Sequence, residues 1–173
     1  MDRIDRKSRL VAWWTVAGIS FGLGIVVTAS SAAASDMGQA TAAQVSQASY
    51  QEYLVDELYA HPGNNRGPAG VAHDPARDNI TALFVSFGLT VSVEPFTYAG
   101  ETWENVAATK MGSVYPDRCF ILGAHYDSSN NPGADDDASG VALVLEAARI
   151  LSSYDSEYTI RFVAFDMAEQ GLR

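Results

Sequence analysis

Gly123-Ala124-His125-Tyr126-Asp127-Ser128, followed by Pro132-Gly133-Ala134-Asp135-Asp136-Asp137-Ala138-Ser139-Gly140, decides how this chain is read. The apolar run Cys119–Ala124 leads into it as a strand, and Val141, Val144, Leu145 and Ala148 leave it as one face of a helix. The turn-rich stretch between them puts one histidine and four carboxylates within 13 residues. Thr159–Phe165 reads as a further strand and runs into a second acidic stretch, Phe165-Asp166-Met167-Ala168-Glu169-Gln170-Gly171-Leu172. Strand, helix, strand is a βαβ unit, with parallel strands and a right-handed crossover. Open α/β sheets bind ligands beyond the carboxyl ends of their strands, where His125, the three aspartates and Glu169 all fall. Neighbouring strands lie ~4.8 Å apart, so these groups can meet around one or two ions. Imidazole with several carboxylates is the donor set of a catalytic zinc centre. A calcium loop fits less well, because the acids lack Asp-x-Asp-x-Asp-Gly spacing and imidazole is not a hard-cation ligand.

Outward from this centre the elements follow from local pattern. Cys119–Ala124 is apolar without alternation, which predicts a central strand covered on both faces, with Cys119 as an inert buried side chain. Asp137 or Ser139 is the expected cap of the following helix. Leu89, Val91 and Val93 alternate as in a half-buried strand, and Asn105–Thr109 reads as a second. Between them and the N-terminus, Asp74 as N-cap, Pro75 at the first helical position, the stripe Ile80, Leu83, Phe84 and Phe87, and Gly88 at the end predict a helix. Tyr50, Leu54 and Leu58 predict another over Val45–Tyr59, ended by His61-Pro62-Gly63-Asn64-Asn65. The sequon Asn79-Ile80-Thr81 falls inside a predicted helix and reads as chance.

The first 34 residues look like an address. Arg3, Arg6, Lys7 and Arg9 outweigh Asp2 and Asp5, an apolar run spans Leu10–Val27, and Ala32-Ala33-Ala34 fits a cleavage site. This is the layout of a secretory signal peptide, which predicts a secreted protein; an uncleaved membrane anchor is the alternative. Ser35–Ala48 is expected to be a linker, and 49–173 one domain. The net charge is −10, and since residues 1–34 carry +2 the remainder carries −12. That acidity argues against nucleic acid or an anionic membrane surface as partner. A single cysteine excludes an intrachain disulfide.

The three stretches Gly-Ala-His-Tyr-Asp-Ser, Pro-Gly-Ala-Asp-Asp-Asp-Ala-Ser-Gly and Phe-Asp-x-x-Glu-Gln-Gly-Leu, in this order, resemble the M28 family of zinc metallopeptidases. The resemblance implies the zinc-dependent exopeptidase fold: α/β, a mixed, mostly parallel sheet flanked by helices. It implies two zinc ions and peptide or protein substrates cleaved at a terminus, aminopeptidase more than carboxypeptidase, with glutaminyl cyclase as the rival within the fold. Carried over residue by residue, His125 resembles a ligand of the first zinc and Asp127 the carboxylate that orients it. Asp136 resembles the carboxylate bridging both metals, and Glu169 a ligand of the second. Asp135 and Asp137 are left as loop and cap groups.

Two departures from the family pattern shape the expectation. The family has glutamate as general base where this chain has Ala168, and a methyl group accepts no proton. Asp166 is the one nearby carboxylate that could substitute. The family also supplies an aspartate and a histidine further downstream, with no counterpart before Arg173; His61 and His73 lie upstream, in the wrong part of the fold. The chain is therefore expected to be a shortened member lacking the C-terminal part of the fold, to be inactive as it stands, and to bind zinc weakly, as one ion. A non-catalytic secreted or anchored module is the alternative.

Overall fold

The computed structural model describes residues 38–59 and 65–171. The chain divides into two compact units, Met1–Gln44 and Val45–Arg173. Of the first, the described part is a helical turn over 38–42 and the residues up to Gln44. The predicted signal peptide, 1–34, lies outside the described residues. Among the described residues no helix is long and apolar enough to cross a membrane.

The second unit is a four-stranded mixed sheet with helices packed on it. Helix α1, Gln47–Glu52, is capped by Ser46, whose hydroxyl accepts the Ser49 N–H at 3.2 Å, and it continues into a wider turn over Tyr53–Tyr59. Helix α2 spans His73–Ser86, and helix α3 spans Ser139–Leu151. The strands are β1 Thr90–Tyr98, β2 Glu101–Lys110, β3 Tyr115–His125 and β4 Tyr158–Phe165. Their order is β1-β2-β4-β3, with β1–β2 and β2–β4 antiparallel and β3–β4 parallel.

The expected mostly parallel sheet is thus corrected, since one pairing of the three is parallel. The cause is local. Ala99 and Gly100 both sit at positive φ, 53° and 85°, in a two-residue turn that folds β1 back on β2 as a hairpin. The β3–α3–β4 crossover is a βαβ unit, as predicted. Phe162 and Ala164 of β4, Val106 and Ala108 of β2 and Ala124 of β3 share one sheet face. They pack with Ile80 and Phe84 of α2 and Val141, Val144, Leu145 and Ala148 of α3 into a single core. Each fully buried Leu, Ile, Val or Phe side chain contributes about 1.5–3 kcal/mol.

Two further expectations are corrected. β3 is an edge strand, not a central one: Phe120 is 63% exposed and Ile121 61%. Its unalternating apolar pattern asks for cover on both faces, and among the described residues the cover is incomplete. Cys119, on the same strand, is exposed. In α2 the cap position is Ala72, without a side-chain bond, and Asp74 lies in the first turn with its carboxylate on His73 Nδ1 at 3.1 Å. Gly88, at φ 75°, follows the helix as its left-handed terminator, as expected.

Candidate metal centre

The parallel register brings the two motif-bearing strand ends side by side, with His125 opposite Phe165. Past that point the chain turns. The Tyr126 N–H donates to Phe165 O at 2.8 Å, which places Asp127 under the Met167–Gln170 turn. Asp127 is fully buried. Its two carboxylate oxygens accept the backbone N–H groups of Ala168, at 3.1 Å, and Glu169, at 3.0 Å. His125 Nδ1 stands 3.2 Å from Asp127 Oδ1 and 3.1 Å from its carbonyl oxygen. One buried carboxylate therefore fixes both the imidazole and the start of the second acidic motif.

With Nδ1 held, Nε2 faces Asp136 Oδ1 at 3.0 Å, and the Asp136 side chain is 80% exposed. Asp137 joins the loop to both neighbouring elements. Its Oδ2 accepts the His125 N–H at 3.2 Å and its Oδ1 the Gly140 N–H at 3.1 Å, the latter in the first turn of α3. The expected cap of α3 is Asp137 or Ser139; the cap position is Ala138, without a side-chain bond, and Asp137 reaches the helix start through the Gly140 N–H while Ser139 is its first residue. Asp135 serves through its carbonyl, which accepts the Ser139 hydroxyl at 2.9 Å. The pKa of His125 is pushed up to about 9, first by its hydrogen bond to the Asp127 carboxylate. Burial opposes the rise, and the charges of Asp127 and Asp137 add to it. Without a metal, the ring is an imidazolium donating from both nitrogens.

His125 and Asp136 are together, and Asp127 supports the histidine. Glu169 is tied to the same anchor by its backbone, but among the described residues no three His, Cys, Asp or Glu side chains converge on one point. The pair present fits zinc in donor type: an imidazole with its far nitrogen fixed by a carboxylate, and an exposed carboxylate before it. Asn105, Gly123, Asp166 and Ala168 line an open cleft of about 620 Å³ together with His125 and Asp137, and Phe96 and Phe165 make it apolar. Ala168 thus lines the same cleft as His125.

Asp166, the suggested substitute base, is committed elsewhere. It is 3% exposed; Oδ1 accepts from His73 Nε2 at 2.9 Å and the Met167 N–H at 2.8 Å, and Oδ2 accepts the Glu104 N–H at 3.2 Å. His73 is not remote from this region. It packs edge-on against Trp103 and tilted on Tyr126, with carboxylates on both nitrogens. Burial pulls its pKa down, but the bonds and charges of Asp166 and Asp74 outweigh burial, and the net shift is upward. Sequence reading missed this pair. A helix-start histidine and a carboxylate 93 residues on carry no shared signal.

Residues 105–173 match the model of peptidase family M28. A probable zinc metalloprotease of Pyrenophora teres f. teres is 51% identical over 76 residues, 39% of this chain and 16% of that protein. Aminopeptidase YwaD of Bacillus subtilis is 40% identical over 86 residues, 48% of this chain and 18% of its own length. The chain therefore spans less than a fifth of these curated relatives. Among solved structures, the glutaminyl cyclase of Porphyromonas gingivalis superposes with a TM-score of 0.61 at 27% identity, over 72% of this chain and 46% of that one. A Zn-dependent exopeptidase of Parabacteroides distasonis shares the fold, with a TM-score of 0.59 at 23% identity over 70% and 47%. The family match opens at Asn105, on the strand that feeds the cleft, and takes in His125, Asp127, Asp136 and Glu169; this part of the chain, residues 105–173, is similar to peptidase family M28.

Proposed function

We propose that this chain carries the first half of the metal centre of a zinc-dependent exopeptidase of aminopeptidase type. His125 and Asp136 would be its ligands to one ion, Asp136 and Glu169 its ligands to a second, with Asp136 the carboxylate common to both, and Asp127 is the positioning residue. The observation that carries this reading is the His125 ring, fixed through Nδ1 by Asp127 and aimed through Nε2 at Asp136. Zinc bound there supplies a Lewis acid that polarises a carbonyl and activates water. The chain's own residues set the ring orientation, present Asp136 to the open side, and narrow the cleft with Phe96 and Phe165. The peptide substrate lies in that cleft with its scissile carbonyl near Asp136. At 168 the cleft wall has a methyl group, so no side chain there holds or moves a proton. Loss of a positioned base lowers rates by ~10²–10⁴-fold, so the chain as it stands turns over little or no peptide.

Zinc calorimetry on the full chain tests the ligands. Weak binding of a single ion is expected, abolished by His125→Ala and by Asp136→Ala. Two tight sites, or binding indifferent to both substitutions, would refute the assignment. Ala168 favours a second reading, a metal-binding module without catalysis, for which no terminal-residue substrate would be cleaved at any zinc concentration. The likeness to the Porphyromonas enzyme favours a third, cyclisation of N-terminal glutamine. Release of ammonia from a glutaminyl peptide, without cleavage of aminoacyl substrates, would select it. We further propose export through residues 1–34, which N-terminal sequencing of the expressed protein tests.

A further inference from the structure

Arg66 is fully buried, among the largest buried side chains of the chain, yet among the described residues no carboxylate forms a salt bridge with it. Its guanidinium is spent on backbone carbonyls. Nε donates to Tyr126 O at 2.7 Å, Nη2 to Gly133 O at 2.9 Å, and Nη1 to Pro132 O and, at 3.5 Å, to Leu58 O. Its own N–H donates to Ser128 Oγ at 2.9 Å.

These partners are not scattered. Tyr126 follows His125 directly, and Pro132 and Gly133 open the loop that carries Asp136. The Gly133 carbonyl also accepts the Ala138 N–H at 3.0 Å, where that loop enters α3. One cation thus joins the strand end bearing the imidazole to the start of the loop bearing the carboxylate, and the far end of that loop is tied to the same Gly133 carbonyl. Close packing reinforces the joint. A Cβ on Gly133 would lie 2.7 Å from Asp136 O and 2.9 Å from Arg66 Nη2, and one on Gly67 would lie 2.6 Å from Ser128 O. A buried guanidinium is costly unless its donors are satisfied, and here carbonyls rather than a counter-ion satisfy them. A positive charge left without a paired carboxylate acts on the acids around it, and Asp127 and Asp137 are the two whose charges reach it.

We propose that Arg66 is a positioning residue of the metal centre: by gathering the carbonyls of Tyr126, Pro132 and Gly133 it sets the separation of His125 from Asp136, and so the affinity of the centre for zinc. This rests on the metal-centre reading above. Groups that orient metal ligands typically change affinity ~10–100-fold when lost. Lysine keeps the charge but not the planar fork, and one ammonium cannot span four carbonyls in the same geometry.

The test uses the full chain and zinc alone, with unfolding by urea recorded in parallel. Arg66→Lys is expected to weaken zinc binding about tenfold while the chain still unfolds cooperatively. Ile80→Val, a core change on α2 away from the loop, serves as the control for general destabilisation and should leave zinc affinity within about twofold. Cobalt(II) substituted for zinc gives a second readout, and its visible absorption should change in intensity or position in Arg66→Lys but not in Ile80→Val. Zinc affinity and cobalt spectrum both unchanged in a folded Arg66→Lys chain would overturn the inference while leaving the metal centre standing. Equal losses in Arg66→Lys and Ile80→Val would overturn it too, since they would trace to stability alone. Absence of zinc binding in the unsubstituted chain, or binding untouched by His125→Ala, would remove the metal-centre reading and the inference with it.

Discussion

Replacing Asp127 by asparagine removes one charge and almost no volume, so its effect isolates what the carboxylate does. Both oxygens of Asp127 accept backbone N–H groups from the β4 end, and one also faces His125 Nδ1. An asparagine keeps one acceptor and turns an NH₂ group toward the other N–H, setting donor against donor. Hydrogen bonds to a charged acceptor contribute about 1.5–3 kcal/mol, and a buried N–H left without a partner costs about 1–3 kcal/mol. The expected loss is about 3 kcal/mol at neutral pH. With a urea slope of about 1–3 kcal/mol/M, the unfolding midpoint falls by about 1–3 M. The same change removes the largest cause of the raised His125 pKa, which should drop from about 9 toward its ordinary value of ~6.5 in an NMR titration of the imidazole. The sign of the pH dependence follows. A histidine whose folded pKa is raised stabilises fully below its unfolded value of ~6.5, and that stabilisation is lost as pH rises through about 9. The gap between wild type and Asp127→Asn should therefore narrow between about pH 6.5 and 9 but stay open, because the two backbone N–H bonds do not titrate. An unchanged midpoint, or an unchanged His125 titration, would show that Asp127 does not join the two motifs.

Zinc should bind more tightly as pH rises. With His125 at about 9, an ion must displace a proton, so affinity gains about tenfold per unit between pH 7 and 8.5, well above the pH 6 limit that an unshifted histidine implies. A flat calorimetric profile over that range would contradict the imidazolium. Ala168→Glu should leave the unfolding free energy within about 0.5 kcal/mol, because position 168 is held through its backbone N–H, and a terminal-residue peptidase assay should stay near background, because among the described residues His125 and Asp136 alone are assembled. Strong turnover in either chain would refute that assignment of the base and ligands. Gly133→Ala should destabilise by about 1–3 kcal/mol, since the site is at φ 56° and the added methyl would meet the Asp136 carbonyl; a midpoint equal to wild type would mean that the loop is not fixed there.

The βαβ unit and the placement of the acidic residues were readable because each rests on local pattern: an apolar run, a turn-rich stretch, a helical stripe. What stayed hidden depends on partners. Phe120-Ile121-Leu122 states a demand for cover without saying where cover lies, so an edge strand reads as a central one. The hairpin needed Ala99 at a positive φ that alanine disfavours, and nothing at that position announces it. Asp74 resembled a cap, but His73, held by Asp166 and edge-on to Trp103, is already the first residue of the helix. Arg66 drew no reading from the sequence, because its partners are carbonyls, which no sequence pattern marks. Asp127 and Asp136 were distinguished by family resemblance, not by spacing; their surroundings, one fully buried and one open, supply the physical difference.

The sheet order β1-β2-β4-β3 has a consequence for how the chain acquires its structure. β1 and β2 can zip together as soon as both exist, since a two-residue turn joins them. β3 cannot join them directly, because among the described residues its neighbour in the sheet is β4, which emerges from synthesis some 30 residues later and must slot between strands already made. Until then β3 is an apolar ribbon with no partner on either side. Non-local pairing of this kind delays folding and lengthens the time during which such a ribbon can meet another chain. The half-formed metal loop shares that wait, since Asp127 has no N–H groups to grasp before Ala168 and Glu169 arrive. β4 thus acts as a checkpoint, and the pairing of Asp127 with the second acidic stretch is made in the same event that joins β3 to β2.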